Sequence, residues 1–456
     1  MNVNRVGGKI EEERAISPGG RIRGKVSRSR LNRDSSAPLW RWAARIRPTF
    51  WLRLVDGVLL FAILALLGGS APDGLTLRDQ RLTVAVGGYT FDLVGWEVGA
   101  LREKAGQIVQ GPADAIPANL QPALVMTYLD RARRIGEMEG QINRLLAEDG
   151  QAHAAQIDQL QAEETRLRQE QEIARPAVEQ IIQRQVGGEL IAAGFNLGTV
   201  PVPPVQFTFT EPPKKMVASP RDRIETVYSR MLTAEMPLTV IEEREAAILA
   251  DEDLAAYITN IGGLGAYPTM VVDRAPLGWV LNTVAHEWVH NYLTLFPLGW
   301  NYNASPEITT INETVADIVG DEIGDRVLRR HYPDQVPPDP EPQSPIPELD
   351  PLGFDFSAEM RTTRLEVDRL LADGDVAGAE AYMEARRLVF VENGYNLRVL
   401  NQGYFAFHGS YATGAASSSP IGPLLQELRK QMPDLHAFLV AVRGVTSQAE
   451  VEALLK

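Results

Sequence analysis

Three residues in the segment VAHEWVHNYL, residues 284–293, have side chains that could bind a metal ion and use it. His286 and His290 are four residues apart, so a helix places both imidazoles on one face, one turn apart. Two imidazoles at this spacing can bind one metal ion, and Glu287 can act as general base toward a water molecule on that ion. The segment therefore predicts a metal-dependent hydrolytic site. Structural polar residues on an ordinary helix are the alternative.

The carboxylates that such a site needs follow on a second predicted helix, residues 306–330. Glu313 and Asp317 are four residues apart and therefore share a helix face. Catalytic zinc commonly has three protein ligands, and two histidines with one glutamate form one such set. A ligand histidine also hydrogen-bonds to a carboxylate through its second ring nitrogen. We predict Glu313 as the third ligand and Asp317 as that carboxylate, with Glu307 as the rival third ligand.

HEWVH followed by NETVADIVG, residues 312–320, resembles the gluzincin metallopeptidases, the class of thermolysin and the membrane-alanyl aminopeptidases. The resemblance covers residues 284–320. It implies a zincin-like domain that hydrolyses peptide bonds, with a peptide or protein as its substrate. Glu287 would be the general base, and Asp317 would orient one of the histidines. One Zn²⁺ per chain would be bound by His286, His290 and Glu313.

A stretch near the C-terminus, NQGYFAFHGSYATG, residues 401–414, supplies candidate donors for an oxyanion. Tyr404, His408 and Tyr411 recur at spacings of four and three, so a helix would place them on one side. Such donors in an aromatic stretch bounded by glycines predict a pocket wall. A packed aromatic helix is the alternative, and Tyr302 is a further donor candidate.

The segment GGLGAYPTMV, residues 262–271, precedes the metal-binding helix. Its glycines permit close backbone approach, and gluzincins use an edge strand in this position to pair with a bound peptide. The segment predicts such an edge strand, with a simple turn and strand as the alternative.

Composition excludes several classes of site and partner. The chain of 456 residues contains no cysteine, which rules out disulfides, iron–sulfur clusters, thiol nucleophiles and cysteine zinc ligands. Residues 1–53 contain thirteen Lys and Arg against four Asp and Glu, a net charge of +9, so the chain's net charge of −14 leaves −23 for the rest. An acidic body of this kind argues against nucleic acid as a partner.

An apolar run, FWLRLVDGVLLFAILALLGGSA, follows these basic residues. Its length suffices for a membrane span of about 20 residues, and the basic flank predicts a cytoplasmic N-terminus. We therefore predict a basic cytoplasmic tail at 1–49, a signal anchor at 50–72 and an extracytoplasmic catalytic domain on a single-pass protein of the cell membrane. A cleaved signal peptide and a buried core helix are the alternatives. The segment 21–33 could contact anionic lipid, or act only as a solvated orientation signal.

Beyond this run the sequence predicts an α+β fold that is mainly α with a small sheet. Residues 73–120 are predicted as a small mixed segment with a β-hairpin at 82–96. Residues 121–198 are predicted as an antiparallel helical hairpin. Residues 199–456 would form the metallopeptidase domain, which contains a proline-rich loop at 333–351.

Two further expectations concern this last domain. Residues 219–260 are predicted to be helical, ahead of the metal-binding helices. If the domain is not a peptidase, it is another zinc hydrolase, an inactive metal-stabilised binding protein, or a scaffold that acts through the helices at 121–186.

Overall fold

The structure is a computed structural model that describes residues 77–149, 151–336 and 354–456. The predicted tail at 1–49, with its lipid-binding segment, and the predicted anchor at 50–72 lie outside the described residues. So does most of the predicted proline-rich loop.

The prediction of an α+β fold with a membrane-spanning helix is wrong. The structure is mainly helical, at 63%, with small sheets. Within the described ranges, no helix is both long enough and apolar enough to cross a bilayer. The longest of them, Ala154–Ala192, has 39 residues but is rich in Glu, Gln and Arg. This finding contradicts the predicted single-pass location, membrane partner and extracytoplasmic catalytic domain.

The described chain begins with helices α1 (Leu77–Ala85) and α2 (Leu93–Gln110). The predicted β-hairpin at 82–96 is therefore wrong. Leu82 and Val86 are four residues apart and both fully buried, which is a helical and not an alternating pattern. The side chain of Asp92 caps the start of α2 by accepting a hydrogen bond from the backbone N–H of Gly95 at 3.0 Å.

Two long helices, α3 (Gln121–Asp149) and α4 (Ala154–Ala192), occupy the range in which the sequence predicts a helical hairpin. About halfway along α3, Ile135 and Met138 form a small apolar cluster with Leu167 of α4. At the end away from their connection both helices contribute to the main hydrophobic core, through Val125, Tyr128, Val178, Ile181 and Ile182 among others. The hairpin is therefore packed against the rest of the protein at its base. The predicted segments 73–120, 121–198 and 199–456 all lie within one compact unit, 59–456.

Three small sheets follow. Two-residue strands β1 (Asn196–Leu197) and β2 (Val200–Pro201) pair with each other. The other strands are β3 (Phe207–Phe209), β4 (Lys214–Pro220), β5 (Tyr228–Leu232), β6 (Leu254–Asn260), β7 (Gly263–Leu264) and β8 (Thr269–Val271). They form two three-stranded sheets with the orders β3-β8-β7 and β5-β4-β6, in which only β3 and β8 are parallel.

The prediction that residues 219–260 are helical is wrong for most of the segment. Only α5 (Leu238–Glu252) is an α-helix there, and strands flank it. Strands form here because the sheet β5-β4-β6 and helix α5 bury their apolar faces against each other. Strand residues Met216, Ala218, Leu232, Leu254, Ala256 and Ile258 pack against Ile241 and Ile248 of α5.

The centre of the fold is a pair of helices, α6 (Leu277–Leu293) and α8 (Pro306–His331), joined through the short helix α7 (Pro297–Trp300). Ser305 caps α8 by accepting a hydrogen bond from the N–H of Ile308 at 3.2 Å, and Pro306 occupies its first turn. The buried faces of the two helices belong to the main core, with Val280, Leu281, Val284, Ile311, Val315 and Val319 fully or almost fully buried.

Helices complete the chain. Their bounds are α9 (Phe356–Ala372), α10 (Val376–Glu392), α11 (Gln402–His408), α12 (Ile421–Gln431), α13 (Leu435–Val442) and α14 (Gln448–Leu454). Gly374 and Gly394 follow α9 and α10 with φ of +78° and +89°, a backbone conformation that favours glycine and ends the helix. Helices α9, α10 and α11 form a separate apolar cluster around Met360, Met383, Phe390 and Phe405.

The spacing of α6 and α8 generates a prediction about Gly324. A Cβ atom at this position would lie 2.7 Å from the backbone nitrogen of Asn282 and 2.9 Å from its Cα. Gly324→Ala is therefore expected to destabilise the protein by about 1–3 kcal/mol, because the helices must separate. Urea unfolding followed by circular dichroism measures this.

The matched control is Gly188→Ala in α4, where an added Cβ meets nothing within 4 Å. This variant is expected to gain about 0.5–1 kcal/mol, because alanine favours the helix over glycine. Equal stability of the two variants would show that the crossing of α6 and α8 tolerates a side chain at Gly324.

Candidate metal centre

Helices α6 and α8 bring His286, His290 and Glu313 together. The two Nε2 atoms are 3.0 Å apart, and each is 3.5 Å from Oε2 of Glu313. Glu313 is 5% exposed, and its Oε2 is buried without a hydrogen-bond partner in the described structure. These three residues form a buried group that could hold a metal ion.

The other ring nitrogen of each histidine, Nδ1, has a hydrogen-bond partner. Nδ1 of His286 is 3.1 Å from Oδ1 of Asp317, and Nδ1 of His290 is 2.8 Å from Oδ1 of Asn312. The amide nitrogen of Asn312 donates to the carbonyl of Leu298, so its oxygen is the atom that faces His290. Both Nδ1 atoms therefore carry hydrogen, and both Nε2 atoms face the group, where they can bind a metal ion when they carry no proton.

The geometry of the three donor atoms fits a tetrahedral metal ion. Zinc bonds of about 2.0–2.2 Å keep neighbouring donor atoms roughly 3.3–3.6 Å apart in a tetrahedral site. The separations here are 3.0, 3.5 and 3.5 Å. Two imidazoles and one carboxylate are also donors that suit zinc. A cation among these atoms would bind both Nε2 atoms and give Oε2 of Glu313 a partner.

The protonation of the metal-free group follows from its charges. Burial lowers the pKa of His286, but hydrogen bonds to Asp317 and Glu313 outweigh burial and raise the pKa well above its usual value. Burial raises the pKa of Glu313, but His290 and His286 outweigh this and hold it well below its usual value. Without a metal ion, a proton on His286 therefore balances the buried Glu313 carboxylate.

Glu287 lies beside the group and is 6% exposed. Burial raises its pKa, as a group that accepts and returns a proton near neutral pH requires. The backbone at the edge of the β3-β8-β7 sheet reaches this carboxylate. A Cβ at Gly263 would lie 3.1 Å from Cδ of Glu287, and one at Gly265 would lie 3.3 Å from Oε2. The strand and the carboxylate therefore share one surface.

Two tyrosines adjoin the metal-binding group. Tyr302 donates a hydrogen bond to Oε1 of Glu313. The Tyr411 ring lies 6.3 Å from the His286 ring. Burial, followed by the charge of Glu313, raises the pKa of both phenols well above the usual value, so both remain neutral donors.

The other two predicted donors lie elsewhere. Tyr404 is buried in the apolar cluster of α9, α10 and α11, where it packs edge-on against Tyr257 at 5.3 Å. Nε2 of His408 is 3.4 Å from the hydroxyl of Tyr257, and burial lowers the pKa of this histidine to about 4. Glu307, the rival ligand, bonds to the backbone of Gln448 instead. The structure thus brings Tyr411 and Tyr302 to the group, and places Tyr404 and His408 around Tyr257.

Asn312 is the contact that the sequence reasoning missed. The sequence predicts Asp317 beside one ligand histidine, which the structure shows to be His286, and predicts no partner for the other. That other histidine, His290, has the amide oxygen of Asn312. Asn312 directly precedes Glu313 in the sequence, so its side chain points to a different side of α8. It reaches His290 in the last turn of α6. Its identity as an asparagine in a buried, apolar helix face was the available signal.

Comparison with protein-family models, with curated protein sequences and with solved structures finds no match to this chain.

The contact between His290 and Asn312 predicts a loss of metal affinity on substitution. Asn312→Ala removes the acceptor that orients the imidazole, and such changes typically cost tenfold to a hundredfold in affinity. Competition against a chromophoric zinc chelator measures this. Glu307→Gln is the matched control on the same helix and is expected to leave the affinity unchanged. A full loss in the control would instead make Glu307 the ligand.

The raised pKa of His286 predicts that zinc binding depends on pH. Below that pKa the imidazole holds a proton that the metal ion must displace. Zinc uptake at neutral pH is therefore expected to release a proton, and affinity should fall by about tenfold per pH unit as the pH is lowered. Calorimetric titration in buffers of different ionisation enthalpy measures the released protons. No release at neutral pH would contradict the assignment of a protonated His286.

Proposed function

We propose that this protein is a zinc-dependent metallopeptidase. The observation that carries the proposal is the buried triangle of two Nε2 atoms and one carboxylate oxygen, with both Nδ1 atoms already engaged. Both Nε2 atoms face one another across 3.0 Å and both face the same buried carboxylate oxygen, which is the arrangement of a set of metal ligands. The buried Glu287 beside this triangle adds a group that can move a proton.

His286, His290 and Glu313 would hold the zinc ion. Zinc bound there would supply Lewis-acid chemistry, which lowers the pKa of a water molecule to about 7 and polarises a carbonyl oxygen. Asp317 and Asn312 keep both imidazoles in the required tautomer. Glu287 accepts a proton from the attacking water and returns it to the leaving amine. Its raised pKa reduces the cost of holding that proton.

One neutral donor adjoins the group where negative charge develops on the carbonyl oxygen. Tyr411 keeps its phenolic proton because burial, followed by the charge of Glu313, raises its pKa. Tyr302 donates its hydroxyl hydrogen to Oε1 of Glu313 and so holds that carboxylate in place. Preorganised donors of this kind are a large source of rate enhancement in acyl-transfer enzymes.

An extended peptide is the substrate that the surroundings of Glu287 favour. Strand β7 pairs with β8 on one side only and has no strand on its other side within the described structure. Its free edge therefore offers backbone groups to an extended chain, as in β-strand addition. Gly263 and Gly265 bring this edge into contact with the Glu287 carboxylate, so a bound peptide would pass the general base.

The proposal predicts the behaviour of Glu287→Gln. The amide keeps the shape of the side chain but cannot accept the proton. We therefore expect kcat/KM on a peptide library to fall by about a hundredfold to ten-thousandfold. Zinc content and thermal stability should stay close to wild type, since Glu287 is not a ligand.

Two further variants make the test specific. Glu243→Gln, on the exposed face of α5, should cleave peptides as wild type does. His286→Ala should lose both zinc and activity. Wild-type rates in Glu287→Gln would overturn the mechanism. Zinc binding without any peptide turnover by wild type would overturn the peptidase assignment.

A further inference from the structure

Lys215 is a half-buried lysine on β4 that makes no direct ion pair with a carboxylate of the described residues. Within the described ranges it takes part in neither an ion pair nor a hydrogen bond, and its recorded contact is with the Phe407 ring, at 5.5 Å from Nζ. Other lysines in this part of the chain differ. Lys104 is paired with the buried Glu179 at 2.5 Å, and Lys214 donates to Asn260 at 2.6 Å.

The alternation of side chains along β4 determines the direction of Lys215. Met216 and Ala218 point into the apolar core against α5. Lys215 therefore points to the opposite face, together with Val217. Phe407 of α11 lies on this face. The cross-strand partners of Lys215 and Val217 on β6 are Thr259 and Tyr257.

A chain of ring contacts links this face to the candidate metal centre. The Phe407 ring, against which Lys215 lies, is 6.2 Å from the Tyr411 ring. The Tyr411 ring is in turn 6.3 Å from the His286 ring. Lys215 therefore lies near the candidate metal centre, on a face that also carries the side chains of Thr259 and Tyr257.

We propose that Lys215 binds a carboxylate group of the substrate and thereby selects which peptides are cleaved. The inference rests on the proposed function and extends it. A partly desolvated ammonium without a counter-ion is unfavourable, and the π-face of Phe407 offsets only part of the cost. A substrate carboxylate supplies the missing charge. The Tyr257 hydroxyl, on the same face, can donate to its second oxygen while it accepts from Nε2 of His408.

Two parts of a peptide carry this chemistry: the free C-terminal carboxylate and the side chain of Asp or Glu. The first makes the enzyme an exopeptidase acting near C-termini. The second makes it an endopeptidase that prefers an acidic residue near the cleaved bond. The binding chemistry at Lys215 is the same in both cases.

Pairs of matched peptides distinguish a C-terminal carboxylate from an acidic side chain. One pair differs only in a free or amidated C-terminus, and another has an internal Glu or Gln in an amidated peptide. For the full-length zinc-loaded protein we expect at least about a tenfold preference in kcat/KM for the carboxylate member of one pair. Lys215→Met should abolish the preference, and Lys215→Arg should retain part of it.

Lys214→Met is the matched control, because the adjacent residue of the strand points to the other face. It should keep the full preference. Zinc content and thermal unfolding must match wild type in each variant, so that a lost preference reports on recognition. No preference in wild type, or a preference that survives Lys215→Met, would overturn the carboxylate site.

Fluorescence anisotropy with the same labelled peptides distinguishes this inference from the peptidase proposal. If wild type cleaves no peptide but binds the carboxylate members more tightly, and Lys215→Met does not, the carboxylate site stands while the peptidase proposal fails. Equal binding of both members by wild type overturns the site whether or not peptides are cleaved.

Discussion

Helices α6 and α8 cross at a distance that Gly320 and Gly324 permit, and the candidate metal centre depends on that distance. A Cβ at Gly320 would lie 2.9 Å from the backbone oxygen of Asn282 and from Cβ of His286. The absence of side chains at these two positions therefore places a histidine backbone directly against α8. Glu313, about two and three turns before these glycines on α8, then reaches the imidazoles of α6. The separation of the donor atoms is thus set by backbone packing and not by flexible side chains.

Electrostatics impose a second condition on the same helices. Glu313 and Glu287 are buried within a short distance of each other, and Asp317 adds a third carboxylate at His286. Negative charge buried at this density needs a positive partner. A proton on His286 meets the need in the metal-free chain, and a divalent cation meets it more fully. The same negative field keeps Tyr302 and Tyr411 protonated, so one charge arrangement favours both metal binding and neutral donors.

The sequence predicts the metal-binding group well because its information is local. The spacing of His286 and His290, and of Glu313 and Asp317, follows from helical periodicity alone. The candidate donors for an oxyanion are predicted less well. Tyr404, His408 and Tyr411 were expected on one side of a single helix, but α11 ends at His408, and only Tyr411 turns towards the metal-binding group. Where a chain goes after a helix ends depends on tertiary contacts, such as the hydrogen bond from the N–H of Ala412 to Thr314.

The errors in the fold have a related cause. Strands β4 and β6 hold alternating Met216, Ala218, Ala256 and Ile258, yet their β-character depends on a pairing partner about 40 residues away. At residues 82–96 the error is the opposite one, since helical residues were predicted as strands. A short apolar alternation concealed the helical spacing of Leu82 and Val86. The charged face of the longest helices shows why none of them suits a lipid environment. The contact of Asn312 was missed because only one histidine was given a partner, Asp317, which lies at His286.

The five residues of the candidate metal centre fall between His286 and Asp317 in the sequence. Bringing them together closes only a short loop, and the entropic cost of closure grows with loop length. The cluster therefore costs less chain entropy to assemble than a site drawn from distant parts of the sequence, and it needs only α6, α7 and α8.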